Sequence, residues 1–274
     1  MKITDYFFDV DYTLVDFGIG HEQALRTLGK KYPPAFVDHF AKVFLTFLEG
    51  LRVKDNNWSK VPGGREHFDS VMRLSRELAG RITQHVWSRE IWACIARDET
   101  HAQLTPAECF DVASLYWESV IAHATVYPDV APLYAHLASH NSRFHVFTSS
   151  DARLKWDAQN STWIYESKFS NISKMKRVKL VQTEGVNITS VTLGDLDDKP
   201  SPLFYKRILD TASQAVGFSL NPQQCAFVGD SFESDVKIPL EQLRLGRGYW
   251  LCRGNGFREI SESIRQIGTL GEVE

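Results

Sequence analysis

Residues 1–14 read MKITDYFFDVDYTL, an aromatic run that stops abruptly at acidic residues. The aromatic residues at 6–8 have a high preference for a β-strand. Asp9 and Asp11 follow, and two such carboxylates about 4 Å apart repel by roughly 4 kcal/mol at an effective dielectric of 20. A divalent cation such as Mg²⁺, which takes oxygen ligands, is the natural compensation. A plain turn is the other interpretation, because Asp is common in turns.

Length and composition limit the classes of protein to which the chain can belong. Its 274 residues suit one large or two modest domains, and 43% hydrophobic with 24% charged residues is ordinary for a globular protein. The net charge of −3 gives no basic footprint for nucleic acid and no polybasic membrane surface. No apolar run approaches the length of a membrane span. We therefore expect neither a nucleic-acid partner nor a membrane partner.

The cysteines and the amino-terminal residues bear on the compartment. The four cysteines are far apart, form no C-x-x-C pair and are too few for a disulfide scaffold in a chain of this size. The first residues contain no apolar segment of the secretory type. These features predict a cytoplasmic protein with reduced thiols, and they leave the oligomeric state open.

Residues 16–125 form a stretch of helical character. Their apolar residues follow helical spacing, and no convincing strand interrupts them. One helix start is marked by Thr105, Pro106 and Glu108, the pattern of a capping box. The polar segment at 54–64 ends in Pro-Gly-Gly and is typical of a loop. A separate helical domain over 16–125 is therefore predicted.

After residue 126 the pattern changes to strands that alternate with helices. Apolar strand-like runs end near Thr148, Leu193, Val228 and Cys252. Such alternation predicts an α/β fold with a Rossmann-like parallel sheet and helices on both faces. The predicted core domain comprises residues 1–15 and 126–274, with the helical domain inserted after the first strand.

Two parts of the predicted core domain are harder to interpret. Residues 257–267 have helical spacing, so a helical tail is expected there. Residues 151–187 show no clear pattern, although they contain a basic cluster that we expect to be a solvent-exposed helix face. The cluster comprises Lys174, Lys176, Arg177 and Lys179.

Chemically useful side chains follow four of the predicted strands. Ligands of open parallel sheets bind outside the carboxyl ends of the strands, which lie along one edge. There Asp9, Asp11 and Asp230 would supply hard oxygens for Mg²⁺, and Asp235 would hold a metal-bound water. Thr148 and Lys199 would bind a phosphate. This inventory fits phosphoryl transfer, in which positioning and charge neutralisation carry most of the catalysis.

The two carboxylates at the end of the first strand suit two chemical roles. A carboxylate can act as the nucleophile and form an aspartyl-phosphate. A neighbouring carboxyl can protonate the leaving oxygen and then deprotonate water. Competing fingerprints are missing: the sequence has no P-loop and no G-x-S-x-G elbow, and Gly246-x-Gly248 lacks the third glycine of a dinucleotide site.

Four segments together resemble the motifs of the haloacid dehalogenase (HAD) superfamily, in the family's order. The first is D-V-D-Y-T-L at 9–14, and the second is V-F-T-S-S, which contains Thr148. The third is K-P-S-P-L-F, which begins at Lys199, and the fourth is G-D-S-F-E-S-D at 229–235. The resemblance covers about residues 1–15 and 126–256, and the helical insert resembles the C1-type helical cap of this superfamily.

The resemblance implies a role for each motif residue. Asp9 would be the nucleophile and a metal ligand, and Asp11 would be the acid and base, with its backbone carbonyl also on the metal. The phosphoryl group would be bound by Thr148, Ser149 and Lys199. Asp230 would bind Mg²⁺, and Asp235 would support it through water or Lys199. Asp11 is lacking or replaced in the dehalogenase and phosphonatase branches, so its presence favours phosphate esters.

Three departures from the family pattern stand out. Tyr12 and Ser149 occupy positions where many relatives have Gly and Asn, and the stretch between Thr148 and Lys199 is long. The predicted substrate contacts outside the motifs are Phe17, Trp58 and Arg65.

The sequence as a whole predicts a Mg²⁺-dependent phosphatase acting on a small phosphorylated metabolite. The alternatives are a phosphomutase and a non-catalytic binding or regulatory protein that retains the fold. A dehalogenase is the least favoured.

Overall fold

The computed structural model describes residues 2–52, 64–79, 88–149, 152–195 and 197–274, and the chain divides into two compact units. The core unit comprises Met1–Phe17, Ala124–Ser150 and Lys174–Glu274. The helical unit comprises Gly18–His123 and Asp151–Ser173. The first two boundaries lie within two residues of those predicted. The division differs from the predicted one at 151–173, which groups with the helices.

The described residues form the following elements in chain order. The strands are β1 (Asp5–Phe8), β2 (Val15–Asp16), β3 (Thr125–Val126), β4 (Arg143–Thr148), β5 (Leu154–Asp157), β6 (Thr162–Tyr165), β7 (Ser190–Leu193), β8 (Cys225–Gly229), β9 (Arg247–Leu251), β10 (Arg258–Glu259) and β11 (Ile264–Ile267). The helices are α1 (Gly18–Gly29), α2 (Pro34–Arg52), α3 (Gly64–Ala79), α4 (Arg89–Thr100), α5 (Pro106–His123), α6 (Val130–Ser139), α7 (Ser167–Thr183), α8 (Pro202–Val216) and α9 (Ile238–Leu243).

The core unit is built on a seven-stranded sheet with the order β10-β11-β9-β8-β1-β4-β7. Neighbouring strands are parallel except for β10 and β11. The central strand β1 pairs on both sides, so that Phe7 lies between His145 and Phe227. The carboxyl ends of β1, β4 and β8 therefore meet at one edge of the sheet.

Alternate residues of the central strands pack against helices on opposite faces. Phe7, Phe147 and Phe227 form one buried cluster with Phe204 and Ile208 of α8. On the other face, Phe8 stacks on Phe144 at 4.2 Å between ring centroids, and Tyr134 of α6 meets Phe144 edge-on at 6.0 Å. The predicted parallel sheet with helices on both faces is confirmed.

The helical unit contains α1 to α5 together with the β5–β6 hairpin. The predicted capping box begins α5: the Thr105 amide donates to Glu108 Oε2 at 2.7 Å, and the Glu108 amide donates to Thr105 Oγ1 at 3.2 Å. Residues 18–123 contain helices and no strand where the structure describes them. The hairpin is thus an addition to the all-helical insert that was predicted.

A buried ion pair explains why 151–173 groups with the helices. Arg153 Nε donates to Glu90 Oε1 of α4 at 2.6 Å, and Arg153 Nη2 donates to Ser114 Oγ of α5 at 2.9 Å. Ser88 Oγ donates to the other oxygen of Glu90 at 2.5 Å. A buried charge is tolerated when an opposite charge and hydrogen bonds compensate it, and here Arg153, directly before β5, supplies the opposite charge for Glu90.

The predicted helical tail at 257–267 is wrong. This segment contains β10 and β11, and β11 pairs with β9 in parallel. Ile264 and Ile267, three residues apart, imitate helical spacing, but both are buried where the strand lies on the sheet. Sheet pairing therefore overrides the local pattern.

No helix in the described part of the chain is both long enough and apolar enough to span a membrane.

Candidate active site

The turn after β1 presents the two motif-one carboxylates. Asp9 follows the strand directly and is buried, whereas the side chain of Asp11 is about one quarter exposed. The Tyr12 amide donates to the Val15 carbonyl at 2.8 Å, and Tyr12 has a left-handed φ of 62°. Glycine adopts this conformation without strain, so Tyr12 carries a cost on the order of 1 kcal/mol here.

Lys199 lies between two buried carboxylates. Its Nζ donates to Asp9 Oδ1 at 2.6 Å and to Asp235 Oδ1 at 2.7 Å. Asp235 comes from the π-helical turn that follows β8, and its Oδ2 accepts from the Ser231 amide at 2.9 Å. The structure therefore brings together residues from motifs one, three and four.

Three carboxylates converge beside this lysine. Asp9, Asp230 and Asp235 each place one carboxylate oxygen within 4.8 Å of the others. Hard oxygen donors at this spacing suit a Mg²⁺ ion, which commonly takes one or two carboxylates together with substrate phosphate and water. Asp11 is not part of this group, and its Oδ2 accepts from Arg177 Nη1 at 2.9 Å. The family resemblance implies a contact with the metal through the backbone carbonyl of Asp11.

The electrostatics of the cluster also fit a bound cation. Burial raises the pKa of Asp9 well above its usual range; Lys199 opposes that shift, and Asp235, Asp230 and Asp11 add to it. Burial alone would lower the pKa of Lys199, but Asp235 and Asp9 raise it well above its ordinary value. One ammonium group thus binds two carboxylates, and a divalent cation would offset the remaining negative charge.

Thr148 ends β4 at the same edge of the sheet. It is buried, and within the described residues its Oγ1 has no hydrogen-bond partner. A buried hydroxyl without a partner costs about 1–3 kcal/mol, which a ligand oxygen would recover. Ser149, the other predicted phosphoryl-binding residue here, hydrogen-bonds through its side chain to Asp198, directly before Lys199.

The basic cluster of α7 contains two residues that the sequence placed wrongly. Lys174 and Arg177 are each only 1% exposed, rather than solvated. Arg177 Nη1 donates to Asp11 Oδ2 at 2.9 Å, and Lys174 Nζ donates to the carbonyl of Gly194. Lys176 and Lys179 are exposed, as expected. One signal was present in the sequence: Lys174 and Arg177 share helical spacing with the apolar residues at 178 and 181, so they lie on the buried face.

The predicted substrate contacts outside the motifs lie in different parts of the chain. Phe17 is buried in the core unit, where the Arg177 guanidinium lies 5.9 Å from its ring centroid. Arg65 lies in α3 of the helical unit, is exposed, and is 3.6 Å from Asp69. Trp58 falls outside the described residues.

Known structures share this fold across nearly the whole chain. The chain is similar to YfnB of Bacillus subtilis, assigned as a HAD hydrolase and bound to magnesium, with a TM-score of 0.58, 14% identity, and 100% and 97% of the two chains covered. It is also similar to the L-2-haloacid dehalogenase RSc1362, with a TM-score of 0.56, 15% identity and coverages of 100% and 97%. A Thermotoga maritima protein assigned as a β-phosphoglucomutase gives a TM-score of 0.55 at 13% identity, with coverages of 98% and 96%. At these identities the likeness shows the fold alone.

Sequence comparison identifies the family. A comparison with curated proteins finds no match to this chain. The family model of the haloacid dehalogenase-like hydrolases matches residues 6–238, well over half of the chain. That range contains all four motifs whose residues meet at the sheet edge. The chain belongs to the haloacid dehalogenase-like hydrolase family.

Proposed function

We propose that the protein is a Mg²⁺-dependent phosphatase that hydrolyses a small phosphorylated metabolite through an aspartyl-phosphate. The observation that carries the proposal is the buried cluster in which Lys199 joins Asp9 to Asp235, with Asp230 beside them. The presence of Asp11 in addition to Asp9 favours phosphate esters over haloacids. The four cysteines are free thiols, which is consistent with the predicted cytoplasmic location.

The first half-reaction uses both motif-one carboxylates. A carboxylate oxygen of Asp9 attacks the phosphorus, and the bond to the leaving oxygen breaks as that oxygen takes a proton from Asp11. The ammonium of Lys199 and the hydroxyl of Thr148 bind the phosphoryl oxygens. The products are the free alcohol, the aspartyl-phosphate on Asp9 and an ionised Asp11.

The second half-reaction restores the enzyme. Asp11 takes a proton from water, whose oxygen attacks the phosphorus and releases inorganic phosphate from Asp9. The residues that would hold Mg²⁺ are Asp9, Asp230 and Asp235 with the backbone carbonyl of Asp11; when bound, the ion neutralises charge on the phosphoryl group. Phe17, Trp58 and Arg65 are proposed as substrate contacts, and the helical unit is proposed as the cap.

A phosphomutase is the second candidate. It is favoured by the retention of both aspartates, Asp9 and Asp11. A mutase would return the phosphoryl group to a product hydroxyl, so inorganic phosphate would not accumulate. A dehalogenase is less favoured because Asp11 is present.

The decisive experiment is a screen of phosphate esters with Mg²⁺, in which released inorganic phosphate is measured. We expect turnover that a chelator abolishes and that Asp9→Asn abolishes as well. Unchanged activity in Asp9→Asn would show that the nucleophile is wrongly assigned. Absence of turnover across the panel would favour a non-catalytic binding protein, and halide release from 2-haloacids would identify a dehalogenase.

A further inference from the structure

Arg177 is a buried cation that belongs to none of the four motifs. Only 2% of its side chain is exposed, and its Nη1 donates to Asp11 Oδ2 at 2.9 Å. Removing a guanidinium from water costs several kcal/mol unless an ionised partner and hydrogen bonds compensate. The partner is a residue of the catalytic turn, 166 positions away in sequence. The ion pair therefore lies on Asp11 itself rather than at a distance from the site.

The part of α7 that carries Arg177, residues 174–183, belongs to the core unit. Its residues Val178 and Val181 are fully buried, and Lys174, one turn earlier, donates to the Gly194 carbonyl. A side chain anchored on a packed helix places its end group more accurately than one on a loop. Arg177 can thus act as a fixed reference for the carboxyl that it binds.

Asp11 has a fixed backbone but a short side chain that can rotate. Its backbone forms a bridge with Val15, and the following Tyr12 amide donates to the Val15 carbonyl at 2.8 Å. These contacts set the position of the Asp11 backbone and leave the direction of the carboxyl to side-chain contacts. The bond from Arg177 to Oδ2 fixes the orientation of the carboxyl, and with it the direction of Oδ1.

We propose that Arg177 is a positioning residue that aims the Asp11 carboxyl at the leaving oxygen. This inference rests on the proposed phosphatase activity, in which Asp11 protonates the leaving group. A misplacement of about 1 Å in such a group can cost about 100-fold in rate. The cost depends on the substrate: a strongly basic leaving oxygen requires the proton, whereas a weakly basic one departs without it.

The test compares two esters of similar shape that differ in the basicity of the leaving oxygen. Wild type, Arg177→Met and Arg177→Lys are assayed with phenyl phosphate and with 4-nitrophenyl phosphate. We expect Arg177→Met to lower kcat/KM, which reports the step that forms the aspartyl-phosphate and expels the leaving group, about 100-fold for phenyl phosphate and only a few-fold for 4-nitrophenyl phosphate. Arg177→Lys, which retains a cation on the same helix, should recover part of the loss.

Two controls separate positioning from general damage. Lys176→Met changes an exposed basic residue of the same helix and should leave both esters unaffected. In an Asp11→Asn background, Arg177→Met should have almost no further effect, because the carboxyl that it positions is gone.

The outcomes distinguish this inference from the function on which it rests. Equal losses of kcat/KM for both esters in an active enzyme would overturn the positioning role and leave the phosphatase proposal intact. Absence of turnover by the wild type of both aryl esters and of every ester in the phosphate screen would overturn both. If Arg177→Met does not fold, the ratio of the two kcat/KM values in Arg177→Lys decides the question, and a ratio equal to that of the wild type overturns the inference.

Discussion

The two ends of β1 carry aspartates in opposite electrostatic conditions. Asp5 at the amino end is 1% exposed and Asp9 just past the carboxyl end is 4% exposed, so burial does not distinguish them. Burial would raise the pKa of Asp5, but hydrogen bonds from His145, Arg143 and Thr4 lower it to about 2. Burial raises the pKa of Asp9, and its neighbouring carboxylates add to the shift.

The partners of each carboxylate explain the difference. Arg143 binds Asp5 through two parallel bonds, Nε to Oδ1 and Nη2 to Oδ2, both at 2.6 Å. His145 Nε2 donates to the same carboxylate at 3.0 Å. Asp9 instead shares the single ammonium of Lys199 with Asp235. A buried carboxylate such as Asp5, whose charge is matched by cations and hydrogen bonds, supports the fold and is a framework carboxylate. A buried carboxylate such as Asp9, which has too few cations nearby, indicates a binding site for a ligand and is a site carboxylate.

The largest expected difference between Asp9 and Asp5, in both activity and stability, appears when each is replaced by asparagine. Asp9→Asn should lower kcat by more than about 1,000-fold because the nucleophile is lost. Its free energy of unfolding in metal-free buffer should not fall, since a buried repulsion is removed. Asp5→Asn should retain activity within about twofold but lose about 2–3 kcal/mol of stability, because Arg143 and His145 lose a charged acceptor.

Steady-state assays and urea unfolding measure both quantities for both variants. A large loss of activity in Asp5→Asn with normal stability would refute the division into a framework carboxylate and a site carboxylate.

A smaller effect on activity is expected from removal of the Thr148 hydroxyl. Thr148→Val should lower activity about 10- to 100-fold, because a hydrogen bond to a charged phosphoryl group is worth about 1.5–3 kcal/mol. Stability should stay the same or rise, since no hydrogen bond to Thr148 Oγ1 is lost among the described residues. Thr148→Ser, which keeps the hydroxyl, serves as the matched control. Loss of stability without loss of activity would assign the hydroxyl to the framework.

Acid unfolding should reveal the ion pair of Asp5. Its pKa falls from the ordinary 3.8 to about 2 in the folded protein. The associated stability, about 2 kcal/mol, is present above pH 3.8 and is lost as the pH falls through about 2. Urea unfolding of wild type and Asp5→Asn over this range should therefore converge at the acid end. Parallel curves would contradict the lowered pKa.

The sequence predicted the features that depend on neighbours along the chain. The parallel sheet followed from alternating strands and helices, and the meeting of Asp9, Lys199 and Asp235 followed from strand ends at a common edge. It could not predict contacts that depend on distant partners. The spacing of Arg177 with Val178 and Val181 indicates a buried face, but nothing near Arg177 in sequence shows that its partner is Asp11. The segment at 264–267 is a strand rather than the expected helix, because its pairing with β9 does not show in the local spacing.

The ion pair of Arg153 with Glu90 has a consequence for the evolution of the two segments that form the helical unit. It joins two segments of the helical unit that are 63 positions apart, in parts of the chain separated by core-unit residues. Loss of 151–173 alone would leave Glu90 buried without its cation, at a cost of about 3–5 kcal/mol. A lineage that carries this arrangement is expected to keep both segments or to lose both, so the two insertions behave as one inherited unit.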